Sequence, residues 1–308
     1  GGLMWGTSAV GKLIPGPDAL KPHVKAFVDV EAGPEVIEKV TRRLKHFIDR
    51  KVSTLFEPLL NMQRDETLTG MARGFAFQMI EGLGLLDRAD VGEDVKSLDQ
   101  ESRSALRKHG IRFGQFTVFM PLLLKPAPTR LRLLLWSLAS GLQEFPEAPP
   151  PGLVTVPTDD KAPEGYHLKS GYRAAGERAL RVDMAERLAD MLRTQDTRGG
   201  FEAMADMLSI TGMTLEQFAN LMQGLGYRAE KAERVKVKVM PVVDKAEAVG
   251  PEVDAGDATA DEAPVAEAVS EVTPEITSVD EADPEQPVEM EVFYTFTWGA
   301  RRPERIAD

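Results

Sequence analysis

The residues of this chain that could do chemistry are four histidines, a few neighbouring carboxylates and one glycine-lysine loop. Their spacing argues against most of it. His23, His46, His109 and His167 fall on different predicted elements, and none has metal-ligand spacing with another histidine or a carboxylate pair. The closest carboxylates are Asp159 beside Asp160, in a connecting segment, and Glu186 with Asp190, on an amphipathic helix where a solvated face is the ordinary use. There is no cysteine, hence no thiolate nucleophile, thiolate metal site or disulfide. There is no G-x-S-x-G nucleophile elbow. GTSAVGK, Gly6 to Lys12, matches the first seven positions of a phosphate-cradling loop. Leu13 stands where Ser or Thr would hold magnesium, and Pro15-Gly16-Pro17 stops the helix that should follow. A β-turn accounts for the stretch. The expectation is no catalytic residue, no metal ligand and no cofactor within this chain.

The cations suggest a different chemistry. Arg112, Lys125, Arg130 and Arg132 cluster around the most apolar stretch, and Arg301 and Arg302 follow the last predicted strand. These six are the candidate nucleic-acid contacts, able to line a groove that tracks a backbone. Lys236 and Lys238 could join them, but cross-strand pairing with Glu289 and Glu291 fits those two better. A basic helix face of Lys39, Arg42, Arg43, Lys45, Arg50 and Lys51 reads as solvated, with a phosphate-binding stripe as the alternative.

Those residues must be held by a core, and the core is built around Gly110 to Leu142. Phe113, Phe116, Phe119, Met120 and Trp136 sit there among many leucines. Burying one such side chain is worth roughly 1.5–3 kcal/mol. Arg112, Gln115, Lys125, Arg130 and Arg132 interrupt the stretch too often for a membrane span. The net charge of −12 belongs to one segment: Asp244 to Pro287 holds six Asp, eight Glu and one Lys, a charge of −13. The rest is near neutral, so overall acidity does not exclude nucleic acid. The chain opens Gly1-Gly2 with no signal peptide after it and reads as part of a longer, cytoplasmic protein.

In chain order, residues 1–32 read as a small β-hairpin unit and 33–145 as a helical domain. Helices are expected over 33–60, with Phe47 among the inward residues, and over 67–86, 95–109 and 129–142. Residues 146–165, with Pro149-Pro150-Pro151-Gly152, read as a linker. Residues 166–240 read as the first part of a winged-helix-like domain: helices over 180–193, 201–210 and 215–223, then a strand Arg234 to Met240. The helix 215–223 offers Glu216, Gln217, Asn220 and Gln223 but no base, which speaks against reading DNA in the major groove. Residues 241–287 are acidic, nearly free of aromatics and expected to be disordered. Residues 288–308 supply a closing strand, Met290 to Trp298, and a basic tail. The fold class expected is mainly α with a small β component, a helical accessory domain followed by a winged-helix-like domain with a long disordered wing insertion.

Four runs carry a resemblance: RRLKHFIDRKVSTLFEPLL, GIRFGQFTVFMPLLLKPAPTRLRLLLW, LRVDMAERLADMLR and MADMLSITGMTLEQFANLMQGLGYRA. The chain resembles the C-terminal region of bacterial relatives of the mitochondrial degradosome RNA helicase, a DExH-type superfamily 2 family. The likeness covers roughly Gly1 to Glu230 and resumes over Val288 to Arg302. It implies a parent chain with two RecA-like motor domains that hydrolyse ATP with magnesium, followed by an accessory region flanking single-stranded RNA. None of the motor motifs lies in this chain, so the resemblance carries no catalytic residue onto it. The alternative is an adaptor for protein contact, tethered by the acidic segment.

Overall fold

The computed structural model of the chain describes residues 1–29, 33–235 and 290–299. Of these, 44% are helical and 22% extended, in four small three-stranded antiparallel sheets. The chain is therefore mixed α and β, and the mainly α expectation is wrong. Most of the unforeseen strands are two to four residues long. A period of two cannot declare itself over so few positions.

The N-terminal sheet pairs β1 (Gly2–Trp5) with β2 (Ser8–Ile14), and β2 with β3 (His23–Ala26). Gly6, at φ 60°, makes the tight turn after Trp5. The GTSAVGK stretch is thus a hairpin turn and a strand, with Leu13 buried, and does not fit a nucleotide phosphate. Helix α1 (Pro34–Leu55) carries the basic face and buries only Ile48 and Val52. It ends at Phe56, and Pro58 falls in the first turn of a separate helix, α2 (Glu57–Arg64). Proline cannot donate to the preceding ladder, so the helix expected to reach residue 60 restarts instead.

Then come α3 (Gly70–Glu81), β4 (Leu85–Asp87), α4 (Gly92–Ser97) and α5 (Gln100–Lys108), the last capped by Asp99 accepting from Ser102 N at 2.7 Å. The apolar stretch follows as β5 (Arg112–Phe113), β6 (Thr117–Phe119), a 3-10 turn and α6 (Pro126–Ala139). Strand β6 lies between β4 and β5 and is buried along its length. The stretch serves several cores at once. Ile111, Met120, Leu123 and Leu135 join the large N-terminal core. Phe119 packs with Leu85 and Val182, and Phe116 rests on the C-terminal core.

The expected linker contains β7 (Thr155–Pro157). After α7 (Tyr166–Lys169), β8 (Tyr172–Ala175) and β9 (Arg178–Arg181) complete a sheet of order β7-β9-β8. Helix α8 (Val182–Leu192), β10 (Phe201–Glu202), α9 (Ala205–Thr211), α10 (Leu215–Gly224), β11 (Tyr227–Val235) and β12 (Met290–Trp298) close the chain, with sheet order β10-β12-β11. Phe296 is fully buried, with the Phe201 and Phe218 ring centroids each 5.6 Å away. Strand β11 starts seven residues before the expected Arg234, because Tyr227 and Ala229 also turn toward that core. Lys236, Lys238, the acidic segment, Glu289, Arg301 and Arg302 lie outside the described residues.

The chain divides into two units, Gly1–Ala232 with Phe293–Asp308, and Glu233–Val292. Within the second, Arg234 Nε donates to Glu291 Oε2 at 3.4 Å. Among the described residues, no helix is long and apolar enough to cross a membrane.

Candidate nucleic-acid interface

The cations singled out in the sequence meet different fates. Arg112 is exposed on β5, and Lys125 is exposed at the N-cap of α6. Arg130, exposed one turn into α6, lines a small cavity of about 90 Å3 with Tyr172 and Arg181. Arg132 is completely buried, which removes it from any phosphate contact. Its Nε donates to Lys169 O at 2.6 Å, Nη1 to Leu123 O at 2.9 Å and Nη2 to Thr129 Oγ1 at 3.1 Å. Burial lowers its pKa to about 9. Lys169 Nζ lies beside it, donating to Gly82 O at 2.8 Å and Leu85 O at 3.5 Å. Burial first, then the Arg132 charge, lowers Lys169 to about 8. These two cations hold α6, α7 and the turn before β4 together through main-chain carbonyls. They are structural.

Glu186 has a comparable use. Its carboxylate accepts from Gln115 N at 2.5 Å, Phe116 N at 3.0 Å and Thr117 N at 2.8 Å. Gly114 leaves the room: a Cβ there would lie 2.2 Å from the carboxyl carbon. Burial raises the Glu186 pKa, and the three amides oppose it. Asp190 pairs instead with Arg193 at 3.2 Å, so these two carboxylates make no acid-base pair. His109 holds Asp65 at 2.7 Å. No group of three or more histidines and carboxylates among the described residues could hold a metal ion.

A ligand-like surface lies where β1 and β2 meet α1. A groove of about 430 Å3 is lined by Met4, Trp5, Arg43, His46, Phe47 and Arg50, over a floor of Leu3, Val10, Val40 and Leu44. Trp5 is 73% exposed and Phe47 50% exposed. Gly11 lets β2 approach α1 closely, since a Cβ there would meet Leu44 Cδ1 at 3.0 Å. Lys51 Nζ stands 5.7 Å from the Phe47 ring centroid. Lys45 is engaged by Asp49 at 3.1 Å, whereas Arg43 and Arg50 make no ion pair among the described residues. The open Trp5 ring and the half-exposed Phe47 ring, which carries Lys51 over one face, stand beside two guanidiniums with no ion pair among the described residues, a set that can stack bases and hold phosphates. Sequence reasoning missed this site because it placed Phe47 inward and left Trp5 inside an uninterpreted hairpin. The signals present were the basic stripe on α1 and a tryptophan directly before a glycine turn.

Helix α10 offers no rival site. Asn220 Oδ1 accepts from Glu177 N at 2.7 Å, and a Cβ on Gly224 would lie 2.1 Å from Gly176 N. The turn between β8 and β9 therefore covers the Asn220–Gly224 face. No protein-family profile, no curated protein and no solved structure matches the chain.

Proposed function

We propose that this chain is a non-catalytic accessory region of an ATP-dependent RNA helicase, one that guides single-stranded RNA and braces the RecA-like motor of the same parent chain. The resemblance supports the helicase part, and ATP and magnesium then belong to the motor. The observation that carries RNA guiding is the groove at β1, β2 and α1, with Trp5 and Phe47 open beside Arg43 and Arg50. Its aromatic faces suit unpaired bases, and a duplex hides its bases in the stack. Helix α10 has no base and is partly covered, which disfavours major-groove reading. The second reading, a protein-contact adaptor, is favoured by the exposed Met4, Phe27, Val36 and Ile37.

The anisotropy of a labelled oligouridylate, titrated with the full chain, separates them. Wild-type chain binds and loses affinity with salt. Trp5→Ala weakens binding roughly 5- to 150-fold, since stacking is worth about 1–3 kcal/mol per base. The double change Arg43→Gln with Arg50→Gln reduces the logarithmic salt slope by roughly 1.4, about 0.7 per phosphate contact on a single strand. No binding by the wild-type chain at low salt, or unchanged affinity in Trp5→Ala, overturns the RNA reading and leaves the adaptor.

A further inference from the structure

A second exposed tryptophan stands in the other half of the molecule. Along β12, Tyr294, Phe296 and Trp298 occupy alternate positions and so share one face. Phe296 is fully buried and Tyr294 stacks on it at 6.4 Å, but Trp298, at the end of the row, is 53% exposed. Its position is nevertheless firmly held. The Tyr227 ring meets it edge-on at 4.9 Å, with the planes 79° apart. Gly226, at φ 103°, lies flat against it, and a Cβ there would touch the indole at 3.6 Å. Trp298 N donates to Thr197 O at 2.7 Å, and Gly299 N donates to Gly226 O at 3.1 Å.

An arginine stands beside Trp298. The Arg228 side chain runs beside Gly299, where an added Cβ would meet its Cγ at 3.6 Å and its Nε at 3.9 Å. Arg228 forms no ion pair among the described residues. Arg198, next to the Thr197 anchor, is instead drawn toward the Asp196 carboxylate, whose pKa the Gly199 and Arg198 amides and then the Arg198 charge lower. The nearby Asp196 carboxylate is engaged by the Arg198 and Gly199 amides at 3.1 and 2.9 Å. A pre-positioned indole with half its surface open, beside the Arg228 side chain, repeats the chemistry of the Trp5 groove on different elements.

We propose that Trp298 is a second base-stacking platform for single-stranded RNA, with Arg228 holding the adjoining phosphate. This rests on the RNA reading of the Trp5 groove. Rigidity favours it physically, because a ring already fixed loses little conformational freedom when a base stacks on it. The C-terminal helices would then meet nucleic acid through the strand end beside α10, and not through α10 itself.

The test uses the full chain and a short labelled oligouridylate. Trp298→Ala is expected to weaken binding about tenfold, Trp298→Phe to restore most of it, and Arg228→Ala to lower the salt slope by roughly 0.7. A chain carrying Trp5→Phe and Trp136→Phe retains Trp298 as its one indole, and its emission is expected to be quenched by unlabelled oligouridylate. That readout decides even if Trp298→Ala folds poorly. Unchanged affinity in Trp298→Ala, or no quenching of Trp298 while RNA still binds, overturns this proposal and leaves the Trp5 reading standing. Failure of the wild-type chain to bind RNA overturns both, and assigns the two exposed indoles to a protein partner.

Discussion

Arg43 and Arg50 differ from Arg132 and Lys169 in everything except their charge. The first two project from a helix face beside exposed rings, with no ion pair among the described residues. The other two lie in the protein against main-chain oxygens. In water a guanidinium is fully solvated and available. In the interior it needs protein acceptors in place of water, and Arg132 finds two carbonyls and a hydroxyl. A basic residue beside an apolar stretch is therefore no better a phosphate ligand than one on a plain helix face. Of the four beside the apolar stretch, Arg132 is recruited for packing while Arg112, Lys125 and Arg130 stay exposed.

The comparison can be broken most forcefully at Arg132. Arg132→Ala should destabilise the chain by about 3–5 kcal/mol, through a cavity and stranded carbonyls. Urea denaturation measures this, and a loss below about 1 kcal/mol would mean the clamp holds little. At Lys169 the difference shows as pH dependence. Its folded pKa is lowered to about 8 from 10.5. Between those values the unfolded chain keeps a proton that the folded one has released, so stability should rise with pH across that window. The gain should be of order 1–3 kcal/mol, and Lys169→Met should flatten it. A slope of the opposite sign would show that Lys169 is stabilised in its charged form. The smallest effect belongs to the exposed pair. Arg43→Gln with Arg50→Gln should shift stability by no more than about 0.5 kcal/mol while reducing the salt dependence of RNA binding. A large loss of stability there would place both arginines with Arg132.

Legibility followed the length of each pattern. Helix α8 and helix α10, with its Thr214–Gln217 capping box, showed in the sequence because several turns repeat one face. So did β12, nine residues of alternation. The strands β4, β5, β6 and β7 did not show, being two or three residues each and fixed by their partners. The fold class erred toward helix for that reason. Of the candidate site, the basic stripe on α1 was readable, but not its pairing with Trp5, which depends on how closely β2 packs on the helix at Gly11.

The amino-acid sequence by itself determined what this chain lacks and where its bulk must go. It has no thiol, its GTSAVGK loop ends at Leu13 and Pro15, and its apolar mass lies between Gly110 and Leu142. Those are properties of residue type and short-range spacing, which no fold can alter. Tertiary structure alone decided which cations and rings face water. Exposure is a property of what packs against a side chain from elsewhere: Lys169 and Leu123 close over Arg132, and no described residue closes over Trp5. The Arg132–Lys169 contact joins residues 37 positions apart, a distance that local periodicity does not encode.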